Sequence, residues 1–135
     1  MNLIRWIATG YAVVLALVTA LNYIPGLTDS EGRAFGIFAL DIYDDLLHGA
    51  SALWAALAAW FSTRASTIYF KTFGTLYLLD GLMGLMTGSG YLDLGILIYG
   101  IQDMPLPFKI LANLPHIALG GFAAFGGFVL AKKLA

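Results

Sequence analysis

The chain reads as an all-α membrane protein, a bundle of four transmembrane helices built from two similar helical hairpins. Three observations predict it. The 135 residues are 60% apolar and only 11% charged, far from the balance by which a soluble domain covers its core. Apolar runs able to cross a bilayer, which takes roughly 20 helical residues, recur four times. Finally, the basic residues fall on one side of those runs.

The first span is expected over residues 3–24, stopped by Pro25-Gly26. Val18-Thr19-Ala20 would serve as a signal cleavage site, but the apolar run is too long for a signal core, so a retained helix is expected. The second span is expected over 45–61, ending at Ser62-Thr63-Arg64, and the third over 67–87, closed by Gly88-Ser89-Gly90. The fourth is expected over 113–131, with Asn113 as its N-cap, Pro115 in its first turn and Lys132-Lys133 at its end. The whole chain, 1–135, then forms one transmembrane domain. Its outer loops, 25–44 and 88–112, are apolar enough to lie along the membrane surface as short interfacial helices.

Orientation follows from charge. Arg5, Arg64, Lys71, Lys132 and Lys133 flank one face, leaving only Arg33 and Lys109 on the other. The positive-inside rule therefore places both termini in the cytoplasm of a multi-pass inner-membrane protein. Seven of the eight acids lie in or beside the outer loops, in agreement.

The halves of the chain resemble each other. Arg5-x-x-x-Thr9-x-Tyr11 matches Lys71-x-x-x-Thr75-x-Tyr77 at an offset of 66. Asp45-Leu46-x-His48-x-Ala50 matches Asn113-Leu114-x-His116-x-Ala118 at an offset of 68. A duplicated hairpin implies a pseudo-two-fold axis along the membrane normal. The paired Asp/Asn-Leu-x-His motifs, with the glycine- and tyrosine-rich stretch Gly74 to Gly84, resemble a family of small bacterial four-helix membrane proteins of unknown function. The resemblance covers roughly the last three helices and implies the same fold without an activity. Asp45 stands where that family has Asn, and Ala112 where an Asp often precedes the second Asn.

Composition closes off several chemistries. No cysteine is present, which removes disulfides, iron–sulfur clusters and thiol nucleophiles. A net charge of −1 without a basic stripe argues against nucleic acid. No lysine lies mid-span to form a retinal Schiff base, and no phosphate loop or nucleophile–base spacing is legible. The sequence points away from an enzyme.

Three groups of residues stand out. Asp80 is the one acid inside a span; a lipid-facing carboxylate costs about 2.5–3.5 kcal/mol on insertion scales, so it should face inward, tied to Tyr11, Thr9, Ser51 or a histidine. His48 and His116 occupy corresponding places in the repeat, and Asp41, Asp44/Asp45 and His48 share a helical face by spacing. Stripes of small residues, including Gly81, Gly84 and Gly88 beside Tyr77, let helices approach closely. The histidines have two readings. In the favoured one each fastens an outer loop by a hydrogen bond. In the other they ligate a haem, a chlorophyll or a metal ion, with Asp41, Asp44, Asp45, Asn113, Tyr11 and Tyr77 nearby.

Three functions remain open. The leading one is a non-enzymatic structural or accessory subunit, partnered by other membrane subunits or by itself. The second is an outer-leaflet binding protein for a haem, pigment, metal or small apolar ligand. The third is a small proton-coupled transporter using Asp80. No cofactor is singled out by the residues.

Overall fold

A computed structural model describes residues 2–134. The described residues form helices joined by irregular loops: α1 (Leu3–Ala20), α2 (Ile42–Phe61), α3 (Thr63–Thr87), the short α4 (Gly95–Ile98) and α5 (Leu106–Phe125). A π turn (Gly126–Leu130) carries α5 on into α6 (Ala131–Leu134). The only β pairings among them are two isolated bridges, Thr28–Ala34 and Ala34–Phe38. Two segments, Leu3–Tyr23 and Leu106–Leu134, are long and apolar enough to cross a membrane by length and composition.

Local chemistry explains where the helices differ from the expected bounds. α1 tightens into a 3-10 turn over Leu21–Tyr23 rather than running to residue 24. α2 starts at Ile42, not 45, because Asp41 and Asp44 form a reciprocal capping box. The Asp41 carboxylate accepts from the amides of Tyr43 and Asp44, and the Asp44 carboxylate accepts from the amide of Asp41. α3 starts at Thr63, not 67: Ser62 alone separates it from α2, and its hydroxyl caps the Ala65 amide. α3 ends on Gly88 at φ +81, a left-handed cap that suits glycine.

The largest correction concerns the last long helix. Asn113 is not its N-cap, and Pro115 is not in its first turn. The helix begins at Leu106 after Pro105, with Pro107 in the first turn, where a missing N–H costs nothing. Asn113 lies mid-helix and donates to the carbonyl of Lys109, 2.9 Å away. Pro115 sits inside the helix, which runs on past it. Between Tyr23 and Ile42 no helix forms, and between Thr87 and Leu106 only α4 does, in place of the expected interfacial helices.

Glycine brings α3 and α5 together. A methyl group at Gly74 would sit 2.8 Å from the backbone of Ala123 and Ala124, and one at Gly120 would sit 2.8 Å from the carbonyl carbon of Tyr77. Gly84 faces the Asn113 side chain with no room for a Cβ. Backbone contact this close gives the dense van der Waals packing that small residues allow. The other pair, α1 against α2, packs through Ile4, Ala8, Leu15, Ala52, Ala55 and Ala59. Tyr11, Tyr69, Phe70, Phe73 and Tyr77 fill the centre with edge-on and stacked rings.

Several positions matched by the sequence offsets make matched contacts. Thr9 donates to the Arg5 carbonyl at 3.0 Å, and Thr75 donates to the Lys71 carbonyl at 2.7 Å. Arg5 reaches the Ala59 carbonyl at 2.7 Å, while the Lys71 backbone lies against Gly127.

The glycine seam predicts a contrast. Gly74→Ala and Gly120→Ala should each destabilise the detergent-solubilised protein by about 1–3 kcal/mol, the range for overpacking. Gly121→Ala, whose added methyl meets nothing within 4 Å, should be neutral or gain up to about 1 kcal/mol in helix propensity. Thermal unfolding read by circular dichroism separates them, and equal effects at 120 and 121 would contradict the close approach.

Candidate binding site at the loop end of the bundle

α3 supplies the anchor. Asp80 is 3% exposed, and its two oxygens are used differently. Oδ1 accepts from the amides of Tyr91 (2.8 Å) and Leu92 (2.9 Å), in the loop that follows α3. Oδ2 meets Nδ1 of His116 at 2.5 Å. Two backbone donors and one ring donor give a buried carboxylate the partners it needs. The loop can come this close because residue 90 is glycine: a Cβ there would lie 2.5 Å from Asp80 Oδ1. Gln102 donates its amide to the Thr87 carbonyl and Ser89 its hydroxyl to the Gly100 carbonyl, which closes the loop back on itself.

The carboxylate orders the histidines in turn. As the acceptor it holds a His116 proton on Nδ1, and in the neutral ring Nε2 then carries the lone pair. That Nε2 faces Nε2 of His48, 3.5 Å away, so α2 and α5 meet through their imidazoles. The rings cross at 82°, and Tyr77 packs against the His116 ring with centroids 4.7 Å apart. His48 is 3% exposed and its Nδ1 is buried without a hydrogen-bond partner. The Tyr69 and Tyr77 hydroxyls, deeper in the bundle, share that condition. With His48 protonated on Nε2, its proton points at His116, and the orphan Nδ1 is a lone pair rather than a buried N–H.

The two histidines therefore converge instead of each fastening a loop. The loop is fastened by Asp80, through its two backbone amides. The haem reading fits poorly: two imidazoles on opposite sides of an iron, with bonds of about 2 Å each, stand about 4 Å apart with a flat ring between them. No group of three His, Cys, Asp or Glu side chains among the described residues is arranged to hold a metal ion.

A cavity of about 490 Å³ opens above this pair, and its wall includes His48, His116, Asp80, Asp44 and Asn113. Asp41, Asp44 and His48 lie along the cavity side of α2. Asp45 does not; its carboxylate turns away to accept from the Tyr23 hydroxyl at 2.8 Å and from the Asn22 amide group. Tyr11 also stands apart from the cavity, donating to the Leu119 carbonyl at 2.7 Å across the bundle. Tyr77 lies beneath the histidines as packing.

Electrostatics at the start of α2 are set by loop contacts. Burial works against the charge on Asp41, yet the Asp44 amide, the Tyr99 hydroxyl (2.8 Å) and the Tyr43 amide outweigh it and hold this carboxyl below the ordinary range. Burial pushes Asp44 strongly upward, and the nearby Asp93 carboxyl adds to the shift. Asp93 is a member of the site that sequence reading counted only as a loop acid. Arg33, also on the cavity wall, lies over the Phe108 ring at 5.3 Å and pairs with Glu31 at 3.7 Å. The Phe108 contact has no local signal, since it joins segments far apart in the chain.

Asp80→Asn and Asp80→Leu should separate the roles of this residue. Asn keeps an oxygen for Tyr91 and Leu92 but turns a donor toward His116, so the His116 proton should move to Nε2, visible in its ring nitrogen resonances. Leu leaves two buried amides without acceptors, at about 1–3 kcal/mol each. The Tyr91 and Leu92 amides should then lose hydrogen-exchange protection in the Leu variant and largely keep it in the Asn variant. Unchanged protection in Asp80→Leu would remove Asp80 as the loop anchor.

Compared with models of protein families, with curated proteins and with solved structures, the chain matches none.

Proposed function

We propose that this chain is a four-span membrane protein that binds a small molecule with an apolar body and a polar head in its outward-facing cavity. One observation carries the reading: His48 and His116, 68 residues apart, meet at 3.5 Å on the wall of one cavity of about 490 Å³. Convergent polar groups in a largely apolar cavity of a few hundred cubic ångströms are the usual form of a small-molecule site. Apolar walls are supplied by Leu15, Val18, Ile37 and Phe38.

Spans near 3–24, 45–61, 67–87 and the body of α5 belong to this reading. Its support is the surface that α2 and α3 turn outward. Leu53, Leu57, Trp60 and Phe61 of α2 are exposed, as are Ile68, Leu79, Leu82 and Met86 of α3, with Trp60 79% and Met86 80% exposed. Exposed apolar area on this scale calls for lipid or a partner. The basic end is also a physical end: Arg5 donates to the carbonyls of Ala59 and Trp60, bringing the first residues beside the α2–α3 turn. That supports an inner membrane with both termini cytoplasmic. A duplicated hairpin fits the matched contacts, and the resemblance to small four-helix membrane proteins is part of the same proposal.

The geometry favours binding over a self-associating module. The small-residue stripes that would serve association are already used inside the chain, where Gly74, Gly81, Gly84, Gly120 and Gly127 seat α3 on α5. A proton-coupled transporter has less support, because the bonds of Asp80 go to structural partners.

Two measurements test the proposal. Cysteines at the exposed positions Glu31 and Lys133 should be labelled from outside and only after permeabilisation, respectively; the reverse pattern would overturn the orientation. Protein extracted in lipid nanodiscs should carry a bound small molecule in native mass spectrometry, and both His48→Gln and His116→Gln should lose most of it. Bound mass unchanged in both variants would remove the cavity as the site.

A further inference from the structure

We infer that the cavity selects an organic ammonium ion, a protonated amine carried on an apolar body; this rests on the binding reading above. The first ground is charge. Asp41, Asp44, Asp80 and Asp93 line the cavity with Arg33 as the one guanidinium. Arg33 is partly satisfied by Glu31, outside that set. Let one proton be shared between Asp44 and Asp93, as the burial of Asp44 and the proximity of the two carboxyls favour. The formal charge of the lining is then three carboxylates against one guanidinium, −2, with neutral histidines. It is still −1 with one proton on the pair, and two imidazoles 3.5 Å apart resist taking a second. A low-dielectric wall strengthens that field, so a cation is favoured and an anion repelled.

The second ground is independent of charge. His48 lines the cavity, is 3% exposed, and carries an Nδ1 that no group in the chain satisfies. With His116 neutral and donating to Asp80 through Nδ1, His48 donates to His116 through Nε2 and its Nδ1 is an acceptor. A buried acceptor without a donor is unfavourable, and an ammonium N–H in the cavity beside His48 is the kind of donor that would relieve it. A bare metal ion fits less well, since no set of three ligating side chains is assembled among the described residues. The apolar walls would also leave a metal ion poorly solvated. An amine with a hydrocarbon or aromatic body meets both surfaces.

The test uses one apolar body with three heads: 2-phenylethylammonium, 2-phenylethanol and 3-phenylpropanoate, titrated into the intact protein in nanodiscs by calorimetry. The ammonium should bind at least tenfold more tightly than the alcohol, and the carboxylate should not bind measurably. In Asp44→Asn/Asp93→Asn the preference for ammonium over alcohol should fall at least threefold. In His48→Phe, which removes the acceptor and keeps an aromatic ring, the ammonium should weaken while the alcohol changes less. Alcohol and ammonium binding equally would overturn the charge selection while leaving the binding site standing. Failure of all three to bind, with the melting profile of the protein intact, would overturn the binding reading as well.

Discussion

A carboxylate buried in a helical bundle must be fully bonded, and the half of this structure under the long loops is arranged around that requirement at Asp80. An unpaired charge there would cost several kcal/mol. Its two oxygens divide the work between backbone and side chain. One gathers the amides of Tyr91 and Leu92 and so folds the loop after α3 over the bundle end. The other takes the His116 ring and sets its tautomer. That tautomer decides what faces His48, whose Nδ1 is left without a partner in the chain. Loop, histidine pair and cavity floor are consequences of a single ionic group.

The second constraint is distance between helix axes. His116 reaches Asp80 only because α5 lies almost in backbone contact with α3, through Gly74, Gly81, Gly84 and Gly120. Close backbone contact gives dense van der Waals packing, so a seam of glycines is both the attraction and the ruler. Below the site the ring stack from Tyr77 through Phe73 to Tyr69, with centroids 4.1 and 4.9 Å apart, keeps the bundle centre filled. The cavity beside the histidines lies at the end where the long loops pass, and Asp41 and Asp93 join Asp44 of α2 and Asp80 of α3 in its wall.

Parts of this were legible along the chain because they depend on local chemistry. The helical class follows from the length and polarity of the apolar runs. The interior placement of Asp80 follows from the cost of exposing it. That Asp41, Asp44 and His48 share a face follows from helical spacing, and the correspondence of His48 with His116 from the repeat. Start signals misled where they had a second use. Asn113 with Pro115 imitates a helix beginning, yet Asn113 bonds the Lys109 carbonyl within a helix already begun at Pro105. Asp45, one residue from Asp44, was grouped with the site, although a 100° turn of the helix carries it to Tyr23 instead.

By itself, then, the sequence determined an all-helical chain and the inward placement of one acid and two histidines, because each of these is dictated by the solvent preference of single residues and by helical period. Only the tertiary structure decided that the histidines meet, that Asp80 rather than a histidine fastens the loop, and that Asp93 and Arg33 join the cavity. Those outcomes depend on how far apart α2, α3 and α5 stand and on the path of a loop with no regular period. Such distances are set by packing between segments remote in sequence, and no local pattern carries them.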